Sequence, residues 1–184
     1  MRVIAFYTKD TPYEKEADRW LDSFKTCKTA CYIMQNQGSW EKNCGMKSEV
    51  LLKAFEDYNE PLLYTDIDAI LCRPLEEIPM PDLPGLCWWR PTWAPHLREL
   101  CSGTIYIPHN DVGLEMLQKW NAFQRKNPNM WDQRALQYVV ERDDIPHQIL
   151  SWNWISIDTH IKPENPIIHH TQASRRLKSV INAG

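Results

Sequence analysis

The feature that most constrains the fold is an apolar segment, residues 62–71, that carries two aspartates near its middle, Asp66 and Asp68. The segment predicts a buried β-strand that ends by presenting two carboxylates. Side chains two positions apart share a face of an extended chain. Both carboxylates can then converge on one hard cation, because magnesium, manganese and calcium prefer oxygen ligands. The alternative is a pair of solvated acids at the end of a strand.

The length of 184 residues predicts one globular domain over residues 1–184 with a sizeable core. Charged residues make up 24% of the chain and the formal net charge is -3, which excludes a disordered chain and an overall basic surface for nucleic acid. No apolar run has the length of a membrane span, and the apolar start, 1–7, is too short for a signal peptide. The six cysteines form no C-x-x-C pair, which favours a reducing cytoplasm over a zinc knuckle and leaves disulfides open.

Strand-like and helix-like segments alternate along the chain, which predicts an α/β sheet. The strands are expected at 3–7, 31–34, 62–71, 86–89, 104–107, 149–152, 155–157 and 167–169. The helices are expected after a capping box at 11–14, around 50–58, after Asn110 or Asp111, and over 130–140. In open α/β sheets, ligands bind beyond the carboxyl ends of the strands, where Asp66 and Asp68 are expected to lie.

Nine tryptophans are a large number for a chain of this length. Some of them fall in predicted loops or strand ends, where an indole face can stack on a sugar or a base. These are Trp88, Trp89, Trp93, Trp152 and Trp154. Core packing is the alternative for each of them, because tryptophan is usually buried for most of its surface.

Several segments are similar, in chain order, to motifs of the GT-A nucleotide-sugar glycosyltransferases, particularly the glycogenin and galactosyltransferase-like group. They are the end of strand one at 8–13, a basic residue at Lys47, the Asp-x-Asp strand and its exit at 62–74, a Ser-Gly strand at 102–105, an Asp-Gln helix start at 132–136 and a late histidine at 167–169. The chain departs from the pattern at Cys101, where relatives carry Asn, and after His169, where a Gly and a Lys-Pro-Trp are missing. The resemblance implies a GT-A fold, a Rossmann-like mixed sheet flanked by helices in a compact single domain.

The resemblance also implies a divalent cofactor, manganese or magnesium, held by Asp66, Asp68 and His169. The neighbouring His170 is the alternative ligand, although it falls where relatives carry an aromatic residue. Breaking a sugar–phosphate bond leaves negative charge on a nucleoside diphosphate, and positive charge must compensate it. Tail residues expected to add positive charge there are Arg175, Arg176 and Lys178, with a solvated terminus as the alternative.

Five further positions are implied to bind the donor. Thr8 and Tyr13 would hold the nucleotide, and Lys47 would approach the sugar or the phosphate. Ser102 and Gly103 correspond to the family's Ser-Gly strand, at the donor site. Simpler roles are available for two of them, since Tyr13 also fits a buried helical stripe and Lys47 an exposed loop.

Asp132 and Gln133 are the implied catalytic residues, in contact with hydroxyls of the transferred sugar. A carboxylate and an amide suit that role because together they accept and donate across a vicinal diol. The alternative is structural: Asn129 would cap the helix, and Asp132 would sit in its first turn, where the helix dipole favours a negative charge.

Taken together, the residues and the resemblance predict a metal-dependent glycosyltransferase that moves a sugar from a nucleotide-diphosphate sugar. The expected donor is a UDP-sugar, and the resemblance implies retention of configuration. The acceptor stays open among a protein, a glycan, a lipid-linked sugar and a modified nucleobase, and a second copy or another chain would complete its site. One rival is a haloacid-dehalogenase-type phosphatase, in which such a strand supplies the nucleophile and the acid. The other is a non-catalytic nucleotide-sugar-binding module.

Overall fold

The computed structural model describes residues 1–76, 78–90, 96–157 and 161–173. Strands and helices alternate within these ranges, as the sequence predicts. In chain order they are β1 (Arg2–Thr8), α1 (Glu14–Ser23), β2 (Thr29–Met34), α2 (Trp40–Gly45), α3 (Lys47–Asp57), β3 (Leu62–Thr65), β4 (Ala69–Leu71), β5 (Gly85–Trp89), β6 (Glu99–Ile107), α4 (Asp111–Lys126), α5 (Asp132–Arg142), β7 (Gln148–Leu150), β8 (Ser156–Ile157) and β9 (Ile168–His170). The predicted phosphate contacts Arg175, Arg176 and Lys178 lie outside the described residues.

The strands of the described residues form a six-stranded mixed sheet in the order β2-β1-β3-β6-β5-β7 and a three-stranded sheet in the order β4-β9-β8. In the large sheet, β1 is parallel to both β2 and β3, whereas β6 is antiparallel to β3 and β5. The mixed sheet with flanking helices confirms the predicted fold class.

The large sheet separates two hydrophobic cores. Successive side chains of each strand point to opposite faces of the sheet, so alternate residues contribute to different cores. One face, represented by Ile4, Leu62 and Ile105, packs against α3, α4 and α5. The other face, represented by Val3 and Leu63, packs against α1 and the small sheet. No helix in the described ranges is both long and apolar enough to cross a membrane.

The segment that carries the two aspartates departs from its prediction. It is not one strand, because β3 ends at Thr65 in the large sheet and the chain turns before β4 begins in the small sheet at Ala69. The amide of Ala69 donates to the carbonyl oxygen of Asp66 at 3.0 Å, which closes the turn. Asp66 and Asp68 therefore converge because of a turn between two sheets, and not because they share a face of an extended chain.

The predicted capping box at the start of α1 is also wrong. The cap position is Tyr13, which makes no side-chain capping hydrogen bond. The hydroxyl of Thr11 donates instead to the carbonyl oxygen of Thr8 at 2.6 Å, and Glu14 accepts from the amide of Asp10 at 2.8 Å. Asp10 has a φ of 59°, so the chain turns sharply before the helix and directs these side chains to the turn.

A buried hydrogen bond ties α1 to the strand that leads into the aspartate turn. The indole N–H of Trp20 donates to the hydroxyl oxygen of Thr65 at 2.7 Å, and both residues are completely buried. A buried donor that loses its partner keeps the cost of its desolvation. This bond therefore fixes the end of β3 immediately before Asp66.

We expect Thr65→Val to lower the free energy of unfolding by about 1–3 kcal/mol, because valine keeps the volume and leaves the indole N–H of Trp20 unpaired. Thr65→Ser is the matched control, since it keeps the hydroxyl and removes a methyl group. Urea denaturation followed by circular dichroism measures both losses. A valine variant as stable as the serine variant would show that the bond contributes nothing.

Candidate functional site

The aspartate turn lies at the carboxyl end of β3, between β1 and β6 in the large sheet. The amide of Asp66 donates to the carbonyl oxygen of Gly103 at 2.8 Å, so the turn is fastened to β6. Asp66 is partly exposed, with 42% of its side chain accessible, and Asp68 is buried. The turn therefore presents one accessible and one sheltered carboxylate at the sheet edge where α/β proteins bind ligands.

The two carboxylate oxygens of Asp66 have different surroundings. The buried phenol of Tyr64 donates to Oδ1 at 2.8 Å, and the ammonium of Lys47 lies 3.0 Å from the same oxygen. Oδ2 faces Gly103, where a Cβ would stand only 3.2 Å from it and equally close to His170. Glycine at this position thus lets the carboxylate and the imidazole approach each other closely.

The two oxygens of Asp68 differ in the same way. Oδ2 accepts a hydrogen bond from the amide of Ala173 at 2.7 Å. Oδ1 is buried and has no hydrogen-bond partner among the described residues, although Nδ1 of His170 lies 3.5 Å away. Burial raises the pKa of Asp68, but His170 and the Ala173 amide outweigh burial and hold that pKa below its usual range.

His170 completes a group of three side chains that could hold a metal ion. Ligand atoms of Asp66, Asp68 and His170 all lie within 4.8 Å of one another. The Nε2 atom of His170 lies 2.9 Å from the hydroxyl of Thr104, which is completely buried. If Nε2 carries the proton and donates to that hydroxyl, Nδ1 is left unprotonated toward the aspartates.

The structure corrects the predicted ligand His169. Successive side chains of a strand point to opposite faces, and β9 runs one residue further than predicted, to His170. Its Ile168 and His170 are buried, and His169 points the other way, with Nδ1 3.3 Å from the hydroxyl of Ser156. His169 is thus not in the group of possible metal ligands, and the alternative, His170, is.

The donor atoms fit a divalent cation. Two carboxylates and one imidazole nitrogen form an oxygen-rich set that suits magnesium or manganese. The buried Oδ1 of Asp68 supports this fit, since it accepts no hydrogen bond from the described residues and a buried oxygen is stabilised by a further partner. These residues are the ones that would hold the metal.

Next to this group, Lys47 connects the buried Asp132, the partly exposed Asp66 and a serine. Its ammonium lies 2.8 Å from Asp132 and 3.0 Å from Asp66, and it donates to the carbonyl oxygen and hydroxyl of Ser102. The Ser102 hydroxyl donates to Asp132 at 2.8 Å. Burial lowers the pKa of Lys47, but the carboxylates of Asp132 and Asp66 outweigh burial and raise that pKa.

Lys47 therefore does not occupy the exposed loop that was its alternative. It is buried at the first position of α3, and its partner Asp132 is buried at the first position of α5. Gln133 accepts from the amide of Ser102 across 3.5 Å, so both predicted catalytic residues contact the Ser-Gly strand. Asn129 does not cap α5, since Trp131 holds the cap position.

A cavity of about 190 Å³ brings the described site residues together. Its lining includes Thr8, Tyr13, Lys47, Asp66, Asp68, Ser102, Gly103, Asp132, Gln133 and His170. Burial raises the pKa of Tyr13, which keeps its phenol protonated. Of the predicted site residues that the structure describes, His169 alone is not in this lining.

Sequence reasoning missed Tyr64 and Thr104, which hold Asp66 and His170 in place. A signal for Tyr64 was available, because a tyrosine two positions before an aspartate in a buried strand needs a partner for its hydroxyl. No comparable signal existed for Thr104, since its partner is 66 residues away in the sequence.

We expect Lys47→Met to lower the free energy of unfolding by about 3–5 kcal/mol at neutral pH, because it leaves Asp132 buried without its counter-charge. Urea denaturation measures the loss. Lys53→Met is the matched control, since Lys53 is exposed and pairs with Asp57 on one helix, and it should change stability little.

The pH dependence follows from the same pair. A lysine whose pKa is higher in the folded protein than the unfolded value of 10.5 stabilises the folded state below pH 10.5. That stabilisation is lost as the pH rises through the pKa of the folded protein. The wild type should therefore lose stability above about pH 10.5 more steeply than Lys47→Met does. Equal alkaline slopes would show that the pKa of Lys47 is not raised.

Comparison with solved structures shows similar folds among glycosyltransferases. A glycosyltransferase involved in the glycosylation of the major capsid of PBCV-1 matches with a TM-score of 0.69 and 14% identity, over 99% of this chain and 96% of that chain. The glycosyltransferase GlyE of Streptococcus pneumoniae TIGR4 matches with a TM-score of 0.58 and 14% identity, over 92% of this chain and 54% of that one. The chain thus spans about half the length of GlyE. No curated protein sequence matches the chain.

The family model described as nucleotide-diphospho-sugar transferase matches residues 38–171. The match runs from just before α2 to just after β9, and it contains the aspartate turn, Lys47, Asp132 and His170. It confirms the prediction of an enzyme of the glycosyltransferase class and removes the phosphatase alternative. The chain belongs to the nucleotide-diphospho-sugar transferase family.

Proposed function

We propose that the chain, as one domain over residues 1–184, transfers a sugar from a UDP-sugar in a manganese- or magnesium-dependent reaction. The observation that carries this proposal is a charge imbalance at the cavity. Among the residues that the structure describes there, three carboxylates, of Asp66, Asp68 and Asp132, meet one ammonium, of Lys47, which leaves two negative charges beside His170. A divalent cation balances that excess.

Asp66, Asp68 and His170 are the residues that would hold the metal. A bound divalent cation supplies positive charge that stabilises the nucleoside diphosphate as a leaving group. Tyr64 and Lys47 hold Oδ1 of Asp66, so Oδ2 is the oxygen oriented toward Gly103 and His170. The protein thus orients its ligand atoms before the donor binds, which lowers the cost of organising the site.

The donor sugar would lie against Asp132 and Gln133, at the start of α5. Lys47 and Ser102 fix Asp132 through Oδ2, and its other oxygen would accept a hydrogen bond from a hydroxyl of the sugar. Thr8 and Tyr13, which line the same cavity, would contact the nucleotide.

The basic tail is part of the same proposal. The amide of Ala173 donates to Asp68, so the chain is already at the metal site two residues before Arg175. Arg175, Arg176 and Lys178 would add phosphate contacts from there. Retention of configuration and a glycogenin- or galactosyltransferase-like subtype follow from the sequence resemblance. The six free thiols suit a reducing, cytoplasmic location.

We expect UDP to bind in the presence of manganese and not in EDTA, and Asp68→Asn to abolish that dependence, because the substitution removes a charge and a ligand oxygen from the site. Isothermal titration with UDP and GDP measures both and identifies the preferred base. Asp22→Asn is the matched control, since Asp22 is an exposed residue of α1 that pairs only with Lys25 in the described contacts. Equal binding of UDP in EDTA and in manganese would refute the metal site.

We expect His170→Ala to weaken manganese-dependent UDP binding at least about tenfold and His169→Ala to leave it nearly unchanged, since only His170 lies with the aspartates. The same titration measures both variants, and each serves as the control for the other. If His169→Ala weakened UDP binding more than His170→Ala, the metal ligand would be His169.

Turnover separates a transferase from a binding module. Release of UDP from UDP-glucose and UDP-galactose in manganese, measured by chromatography, is expected of the wild type and absent from Asp68→Asn. Tight UDP binding without any release of UDP, with or without sugar acceptors, would support the non-catalytic module.

A further inference from the structure

A second, more open cavity of about 670 Å³ lies beside the cavity of about 190 Å³ that would hold the donor, which we call the catalytic cavity. Two tryptophans, Trp40 and Trp131, belong to the lining of both. Their rings pack against each other with centroids 5.5 Å apart and planes at 51°. We call the second cavity the Trp groove; it is bounded by Trp40, Glu41, Asn129, Trp131 and Arg134 together with the end of α4. The indole pair is thus the shared boundary between the catalytic cavity and the Trp groove.

Two residues at the start of α5 are poor choices for helix stability, and both line the Trp groove. Trp131 holds the cap position, which favours Ser, Thr, Asp or Asn, and it makes no capping hydrogen bond. Arg134 is exposed in the first turn, where the helix dipole favours a negative charge. Departures from local preference concentrate at functional sites, so a role outside helix stability accounts for both residues.

We propose that the Trp groove binds a saccharide, the non-reducing end of a glycan acceptor that the transferred sugar extends. This inference rests on the proposed function and names its missing substrate class. A sugar ring presents an apolar C–H face and a rim of hydroxyls. The apolar face can stack on a partly buried indole. The hydroxyls can form hydrogen bonds with the guanidinium of Arg134, the amide of Asn129 and the carboxylate of Glu41.

The position of the groove supports an acceptor over a second donor group. The start of α5 contributes to both cavities: Gln133 lines the catalytic cavity, and Arg134, the next residue, lines the Trp groove. A saccharide stacked on Trp131 would therefore direct a hydroxyl toward the sugar end of the donor, beside Asp132. The size of the groove lies within the range of small-molecule sites, about 300–1,000 Å³.

In the transfer, the acceptor hydroxyl forms a new bond to the anomeric carbon, and the bond from that carbon to the β-phosphate oxygen breaks. The bonding pair leaves with UDP, and the hydroxyl proton is released to the diphosphate or to solvent. The Trp groove takes no part in these bond changes. It sets which hydroxyl is presented, so its residues act through binding and position.

Saturation-transfer NMR on the whole chain tests the proposal with methyl β-galactopyranoside, methyl α-glucopyranoside, lactose and maltose as probes, with magnesium and with or without saturating UDP. At least one probe is expected to bind both with and without UDP, because the Trp groove is a separate cavity from the one that would hold the donor. Trp131→Ala should raise its Kd about tenfold and Arg134→Ala about threefold, whereas Trp131→Phe, which keeps a flat ring, should retain most of the affinity.

Trp152→Ala is the control, because Trp152 is an exposed tryptophan that lines neither cavity, and the Kd of this variant should equal that of the wild type. Melting curves confirm that each variant is folded. No binding of any probe, or an unchanged Kd in Trp131→Ala, would overturn the proposal. Transfer of sugar to peptide serine or threonine without saccharide binding would overturn it in favour of a polypeptide acceptor.

The outcome is separable from that of the proposed function. Saccharide binding is measured without donor, and manganese-dependent UDP binding is measured without acceptor. Saccharide binding with no UDP binding would refute the donor assignment and keep the Trp groove. UDP binding with no saccharide binding would refute the Trp groove and keep the donor assignment.

Discussion

The buried ammonium of Lys47 is the interaction on which the rest of the site depends. It lies between Asp66, at the end of β3, and Asp132, at the start of α5, so one cation joins the central strand to a helix that also lines the cavity. A carboxylate as buried as Asp132 is stable in its charged form only with such a partner. The pair also leaves the cluster two negative charges in excess, which is the property that suits a divalent cation.

The turn between β3 and β4 gives this charge cluster its geometry. By moving the chain from the large sheet to the small one within three residues, it brings Asp68 next to β9 and therefore next to His170. Hydrogen bonds from Tyr64 and Ala173 and the contact of Thr104 with the imidazole then hold each ligand side chain. Side chains fixed in this way need little rearrangement when a metal and a donor bind.

The start of α5 links the donor site to the proposed acceptor site. Trp131 lines both cavities, and Asp132 is the buried partner of Lys47. Gln133 contacts Ser102, and Arg134, the next residue, lines the Trp groove. This segment was identified from the sequence only through its Asp-Gln pair. The tryptophans singled out from the sequence as candidates for stacking were others. Trp40 begins α2 and Trp131 directly precedes α5, and their contact forms only when these two helices pack together.

The sequence by itself determined the alternation of strands and helices and the family, because these depend on local periodicity and on short motifs. The predicted site residues Lys47, Asp66, Asp68, Ser102 and Asp132 all line one cavity in the structure. Tertiary structure decided which histidine faces the aspartates, since a shift of one residue in β9 reverses the face of every side chain. It also decided the partners of Thr104 and Trp131, because contacts between segments far apart in sequence leave no local pattern to read.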